Sequence, residues 1–158
     1  MLLAVFSDSH GNVGNLRRAM ELSRPDHAIF LGDGLRDAEA VEREHPDIPF
    51  ILLRGNCDWS GTGYDESLLF ELDGVRIFAA HGHRHNVKLG REGFWNSVFC
   101  SGSALGLYGH THRALIEQSE GRYLMNPGSV GDLSYPTYGL VRLDRGSFTC
   151  ELRDLERE

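Results

Sequence analysis

Asp8-Ser9-His10, Gly32-Asp33, Gly55-Asn56-Cys57-Asp58, His81-Gly82-His83 and Gly109-His110-Thr111-His112 each carry metal-ligand side chains, and most of them directly follow an apolar run. Short apolar runs of this kind read as strands. The ligands therefore fall at strand ends, where open α/β sheets form their binding crevice. Carboxylate, imidazole and amide groups converging on one crevice suit a pair of divalent cations. An all-nitrogen-and-oxygen set favours Mn, Fe, Ni, Co or Zn at a reactive site over a structural zinc cluster.

The rest of the chain can be read around those anchors. Leu2 to Phe6 predicts a buried first strand, Gly11 to Gly14 a turn, and Asn15 to Ser23 a helix closed by Pro25. His27 to Leu31 predicts a second strand, Leu35 to Glu44 a second amphipathic helix, and Ile48 to Leu53 a third strand. This βαβαβ opening implies parallel strands joined by right-handed crossovers. Leu68 to Leu72 and Val75 to Ala80 flank Asp73-Gly74, a hairpin signal. A short helix is expected within Gly90 to Gly106, then a strand over Leu105 to Tyr108. Ala114 to Glu117, Arg122 to Met125, Tyr138 to Leu143 and Phe148 to Leu152 read as mostly antiparallel strands, turned at Glu120-Gly121 and Arg145-Gly146. No repeat or linker interrupts the pattern, so residues 1–158 are expected to form a single domain.

Composition narrows the function. The formal charge is −7, from 23 acidic and 16 basic residues, and Lys88 is the only lysine. Binding to long duplexes depends on clustered cations, so no long nucleic acid is expected as a partner; a small phosphate ester held by metals is. Cys57, Cys100 and Cys150 are odd in number and widely spaced, which argues against a disulfide framework and for reduced thiols in the cytoplasm. Met1 to Phe6 has no basic start and meets Ser7-Asp8 too early for a signal peptide. No run approaches the roughly 20 apolar residues of a membrane span, so no membrane partner is expected.

Each segment alone has a plainer reading. Asp8 and Ser9 suit a helix cap, Gly32-Asp33-Gly34 and Asn56 suit turns, and His81 and His83 suit an exposed loop. Cys57 suits a small buried residue, and His85 a loop position within reach of substrate. Trp59 and Tyr64 could wall the crevice or pack beneath it, and Phe94, Trp95 and Phe99 suit the core. If the chain stays extended across Asp8 and His10, both side chains project to one side. The ordered set of segments outweighs the separate readings.

That ordered set, DxH, GD, GNCD, a later H and GHxH, resembles the calcineurin-like metallophosphoesterases over nearly the whole chain. The compact size, the GNCD variant and Asn126-Pro127-Gly128-Ser129 are similar to its small bacterial and archaeal phosphodiesterase branch, which also holds Vps29-like proteins. The resemblance implies an α/β fold, a two-sheet β-sandwich flanked by helices with the metals at strand ends. It implies one metal held by Asp8, His10, Asp33 and His112 and another by Asp33, Asn56, His81 and His110. Two divalent ions, manganese foremost, would bracket a hydroxide that attacks phosphorus in line. Asp33, Asn56, Asp58 and His83 would form the catalytic group, with Asp58 fixing a ligand histidine. The family's usual histidine after the GNH asparagine is Cys57 here, a poor general acid, and His83 could partly replace it. The expected function is a phosphodiesterase acting on small esters. The alternatives are a Vps29-like scaffold or interaction module that keeps the metal site, and a metal-bound phosphate sensor.

Overall fold

In the computed structural model, which describes residues 1–59 and 63–157, ten strands form two five-stranded sheets. The first sheet has the order β10-β9-β1-β2-β3, built from β1 Leu2–Phe6, β2 His27–Phe30, β3 Phe50–Leu52, β9 Thr137–Asp144 and β10 Ser147–Asp154. The second has the order β4-β5-β6-β8-β7, from β4 Ser67–Leu72, β5 Val75–Ala80, β6 Leu105–Leu107, β7 Leu115–Ser119 and β8 Arg122–Asn126. Helices α1 Val13–Ser23, α2 Leu35–Glu44 and α3 Glu92–Ser101 complete the fold.

Alternation along the strands explains the layers. Leu3 and Val5 of β1 join Ile29, Ile77, Leu105, Met125 and Val141 in the core between the sheets. Ala4 and Phe6 point the other way, against Leu16, Ala19 and Met20 of α1 and Ala38 and Val41 of α2. Phe94 and Val98 of α3 pack with Tyr108 and Leu124 on the outer face of the second sheet. Sheets covered on both faces need strands that are apolar throughout, and β1 is buried along nearly its whole length.

The βαβαβ opening is parallel, with β1 beside β2 and β2 beside β3. Strand β3 is shorter than the expected Ile48 to Leu53 run, because the Ile48 N–H turns back to the His45 carbonyl at 3.0 Å. Asp73-Gly74, Glu120-Gly121 and Arg145-Gly146 all have positive φ at both residues, the backbone of the two-residue hairpin turns expected there. The later strands are less uniform than the antiparallel reading. Strand β8 pairs antiparallel with β7 but parallel with β6, and β9 crosses to the first sheet beside β1. Phe94 is fully buried, while Trp95 and Phe99 stack with ring centroids 5.6 Å apart. No helix among the described residues is long and apolar enough to cross a membrane.

Candidate metal centre

The ends of β1, β2 and β5 and the loop after β6 meet at one edge of the sandwich. The loops are tied by their backbones: Asp8 N–H donates to the Gly32 carbonyl at 2.9 Å, His10 N–H to the Asp33 carbonyl at 3.1 Å, and Gly109 N–H to the His81 carbonyl at 3.0 Å. Glycines let them approach. A Cβ on Gly55 would lie 2.1 Å from Asp33 Oδ1, and one on Gly109 would lie 2.0 Å from Ser7 Oγ.

Two groups of ligand atoms form there: Asp8, His10 and His112, and Asp33, His81 and His110, each within 4.8 Å. Asp8 is fully buried. Its Oδ2 accepts from Ser7 Oγ and from the His110 N–H at 3.0 Å. Its Oδ1 is buried without a hydrogen-bond partner and lies 3.2 Å from His112 Nε2 and 3.5 Å from His10 Nε2. Asp33 Oδ1 accepts from the Cys57 N–H at 2.8 Å, leaving Oδ2 3.3 Å from His81 Nε2 and 3.9 Å from His10 Nε2. One carboxylate oxygen thus stands between the two groups. His10 Nε2 faces His112 Nε2 at 3.2 Å, and His81 Nε2 faces His110 Nδ1 at 3.1 Å. His81 Nδ1 lies 3.0 Å from the Leu31 carbonyl; donating there leaves Nε2 as the free lone pair, the orientation metal-binding imidazoles adopt. An orphaned buried carboxylate oxygen and imidazole nitrogens turned toward one another fit a divalent cation in each group.

The lowered carboxylates and the lowered His110 fit a cation as well. Burial would raise the Asp8 carboxyl, but the neighbouring His10, His112 and His81 imidazoles hold it well below the carboxylate range. Asp33 is likewise lowered by His81 against the opposing effect of burial. Burial, with the charges of His81 and Lys88, takes His110 down to about 4, so its nitrogens carry no added proton near neutral pH. The adjacent Asp8 carboxylate raises His10, and Asp33 raises His81 against burial.

The backbone here departs from the extended path expected across Asp8 and His10. Asp8, His10, Asp33, His110 and His112, five of the seven expected ligands, have φ between 45° and 67°, the left-handed region. Neither Asp8 nor Ser9 caps α1. The cap is Asn12, which accepts from Asn15 N–H at 3.2 Å, while Ser9 Oγ donates to Asp37 at 2.6 Å.

Asp58 differs from its expected part. It fixes no histidine: its carboxylate accepts four backbone N–H groups, from Asp33 at 2.7 Å, Gly34 at 2.9 Å, Leu35 at 3.0 Å and Gly55 at 2.8 Å. It therefore caps α2 from a distant loop, where Gly34 offers no side chain, and holds Asp33 in place. Asn56 is exposed, with its amide nitrogen 3.5 Å from Cys57 Sγ. Cys57 also lies within 4.8 Å of His10 and Asp33 ligand atoms. The His83 ring lies tilted or edge-on beside His81 and His110, at ring distances of 5.5 and 6.2 Å, with Nε2 3.7 Å from Glu66. Arg84 and Arg54 bind that Glu66 and take it down to about 2. His85 is not a substrate-facing loop residue; its ring packs edge-on against Phe78 and Phe94. Tyr64 bonds Glu39 at 2.7 Å and packs on the helix-side core, whereas Trp59 is 90% exposed.

Three further side chains support the ligands. Ser7 anchors Asp8, and Ser129 Oγ donates to the Asp8 carbonyl at 2.7 Å. Asn126 Nδ2 donates to the Gly109 carbonyl at 3.0 Å and Thr111 Oγ1 at 2.9 Å, pinning the His110 loop. The Asn126-Pro127-Gly128-Ser129 stretch thus borders the centre.

Two clefts open from these residues. One, of about 450 Å³, runs past His10, Asp33, Arg36 and Cys57; the other, of about 360 Å³, past Asn56, Glu66, His83 and Arg84. Asp58 and Trp59 line both.

Comparison with known proteins agrees with this geometry. Residues 1–146 match the calcineurin-like phosphoesterase superfamily domain. The chain is similar to the probable metallophosphoesterase YsnB of Bacillus subtilis, 30% identical over 82% of this chain and 75% of that protein. It is also similar to the phosphodiesterase YfcE of Escherichia coli, 30% identical over 82% and 79% of the two. Among solved structures, an uncharacterised Streptococcus pneumoniae protein described as a predicted phosphoesterase shares the fold at a TM-score of 0.81, with 24% identity over 98% and 90% of the chains. Vps29 of Entamoeba histolytica complexed with zinc shares it at 0.75, with 21% identity over 98% and 99%.

Proposed function

The chain belongs to the calcineurin-like phosphoesterase superfamily, and from this premise we propose that it is a single-domain, two-metal phosphodiesterase of the cytoplasm acting on small phosphate esters. The observation that carries the reading is Asp33 Oδ2, placed between one group of ligands at His10 and another at His81. Asp8, His10, Asp33 and His112 would hold one divalent ion, and Asp33, Asn56, His81 and His110 the other, with manganese foremost. When bound, such a pair supplies an activated water for in-line attack on phosphorus and neutralises the phosphoryl oxygens. Asp58 keeps the Asp33 loop and the end of α2 in register with Gly55. The two clefts support a diester over a monoester, since each ester arm has its own path from the ligands.

Protonation of the leaving group is the weak part of the site. Cys57 is exposed rather than buried, but partial desolvation and the Asp33 charge push its thiol up, so it keeps its proton but gives it up reluctantly. Burial and the charge of His81 push His83 down, so it holds no spare proton at neutral pH. Esters with acidic leaving groups should therefore be cleaved readily and alkyl esters slowly. Cys57→His should flatten the dependence of rate on leaving-group pKa across a series of aryl and alkyl diesters. An unchanged slope would remove position 57 from proton transfer.

Hydrolysis of bis(p-nitrophenyl) phosphate tests the main reading. Turnover should vanish after chelation and return with added Mn²⁺. No turnover with Mn²⁺, Ni²⁺, Co²⁺ or Zn²⁺ would sink it. The second reading, a scaffold that retains the metal site, is favoured by the shared fold with Vps29; metal binding without turnover is its signature.

A further inference from the structure

A third cleft, of about 190 Å³, reaches the loop that carries His110 and His112. Val87, Lys88, Arg91, Tyr108, Thr111 and Arg113 line it. Thr111 stands between His110 and His112, so the cleft and the candidate metal ligands share one loop. Val87 and Tyr108 are buried and supply an apolar wall, while Lys88 and Arg113 are exposed. Most arginines near the centre are matched to carboxylates: Arg54 and Arg84 to Glu66, and Arg91 to Glu117. The side chains of Lys88 and Arg113 have no hydrogen-bond or ion-pair partner among the described residues. With 23 acidic residues against 16 basic ones, and Lys88 the only lysine, two unmatched cations on one cleft run against the balance of the chain. The Lys88 charge also reaches His110.

We infer that this cleft is an anion subsite, in which Lys88 and Arg113 hold a second, terminal phosphate carried by the ester whose diester bond lies at the metals. A compact ammonium and a planar guanidinium lining one cleft suit a dianion better than a monoanion. The identity of the carrier rests on the phosphodiesterase reading; the subsite itself does not.

Because Lys88 is the only lysine, protein labelled with ¹³C-lysine gives one side-chain signal. Chelator-treated full-length chain is titrated with inorganic phosphate and with pyrophosphate at constant ionic strength, against a chloride control. A saturable Lys88 shift is expected with both anions, weakened about tenfold in apparent affinity by Arg113→Gln, the loss of one charge-assisted contact. A shift no larger than with chloride, one insensitive to Arg113→Gln, or one seen only after Zn²⁺ is restored would overturn the subsite. A second arm compares a nitrophenyl phosphodiester bearing a terminal phosphate with the same ester lacking it. Arg113→Gln should lower the ratio of their kcat/KM values about tenfold. A saturable shift with an unmoved ratio would show a site for free phosphate only and overturn the substrate assignment. Failure to turn over either ester would instead sink the phosphodiesterase reading, leaving the lysine signal to decide the subsite.

Discussion

Asp33→Asn is expected to reduce kcat/KM for an activated phosphodiester by roughly three orders of magnitude, equivalent to about 4 kcal/mol. The reason lies in how the two oxygens of Asp33 are used. Oδ1 accepts the Cys57 N–H at 2.8 Å, and an asparagine carbonyl could keep that bond. The other position, 3.3 Å from His81 Nε2 and 3.9 Å from His10 Nε2, would then become an amide NH₂. It would turn a donor toward imidazoles that need a negative partner, and the anion shared by both groups would be lost. Metal content after desalting, measured by mass spectrometry, should fall by at least about half. The fold should persist, since the change is isosteric. Turnover close to wild type would exclude Asp33 from the reactive centre.

Asp58→Ala should have the second largest effect, by another route. Four backbone N–H groups lose their acceptor at once, those of Asp33, Gly34, Leu35 and Gly55. Each unsatisfied donor costs about 1–3 kcal/mol when fully buried, and less where water reaches it. Asp58 is only partly buried, so a total loss of about 2–4 kcal/mol in urea-melt stability is expected. Turnover should drop by roughly 10–100-fold, the range for groups that orient a metal ligand. Asp58→Asn keeps one strong acceptor and should fall between. An alanine variant with unchanged stability would mean that these four bonds have no net weight.

These two residues also mark how far the sequence could be read. Asp8, His10, Asp33, His81, His110 and His112 were legible because their side chains belong to few chemistries and each follows a strand, whose apolar period is local. Their backbone was not. The left-handed conformations at Asp8 and His10 depend on remote partners: Ser129 Oγ and the Gly131 N–H both hold the Asp8 carbonyl, at 2.7 and 3.2 Å. Asp58 is legible as a candidate site residue but its partners are not, because they are main-chain groups that leave no mark in a sequence. The β1-α1-β2-α2-β3 order was legible from period and breakers. The parallel pairing of β8 with β6 was not, since nothing in Arg122 to Asn126 names its neighbour. Lys88 stood out only by its rarity; its cleft with Arg113 needed the fold.

The position of β1 between β2 and β9 has a consequence for how the protein is made. The partner on one edge, β2, leaves the ribosome soon after β1, but the partner on the other, Gly139 to Arg142, follows only after the second sheet's strands. Until then that edge of the first strand is bare, and an unpaired edge invites pairing with another chain. The loop bearing Asp8 waits equally long for Ser129 and Gly131. A nascent chain released early would thus present loose histidines and carboxylates with no shaped cage around them. Only a chain synthesised past Gly131 can close the centre, so its assembly reports that translation has passed that point.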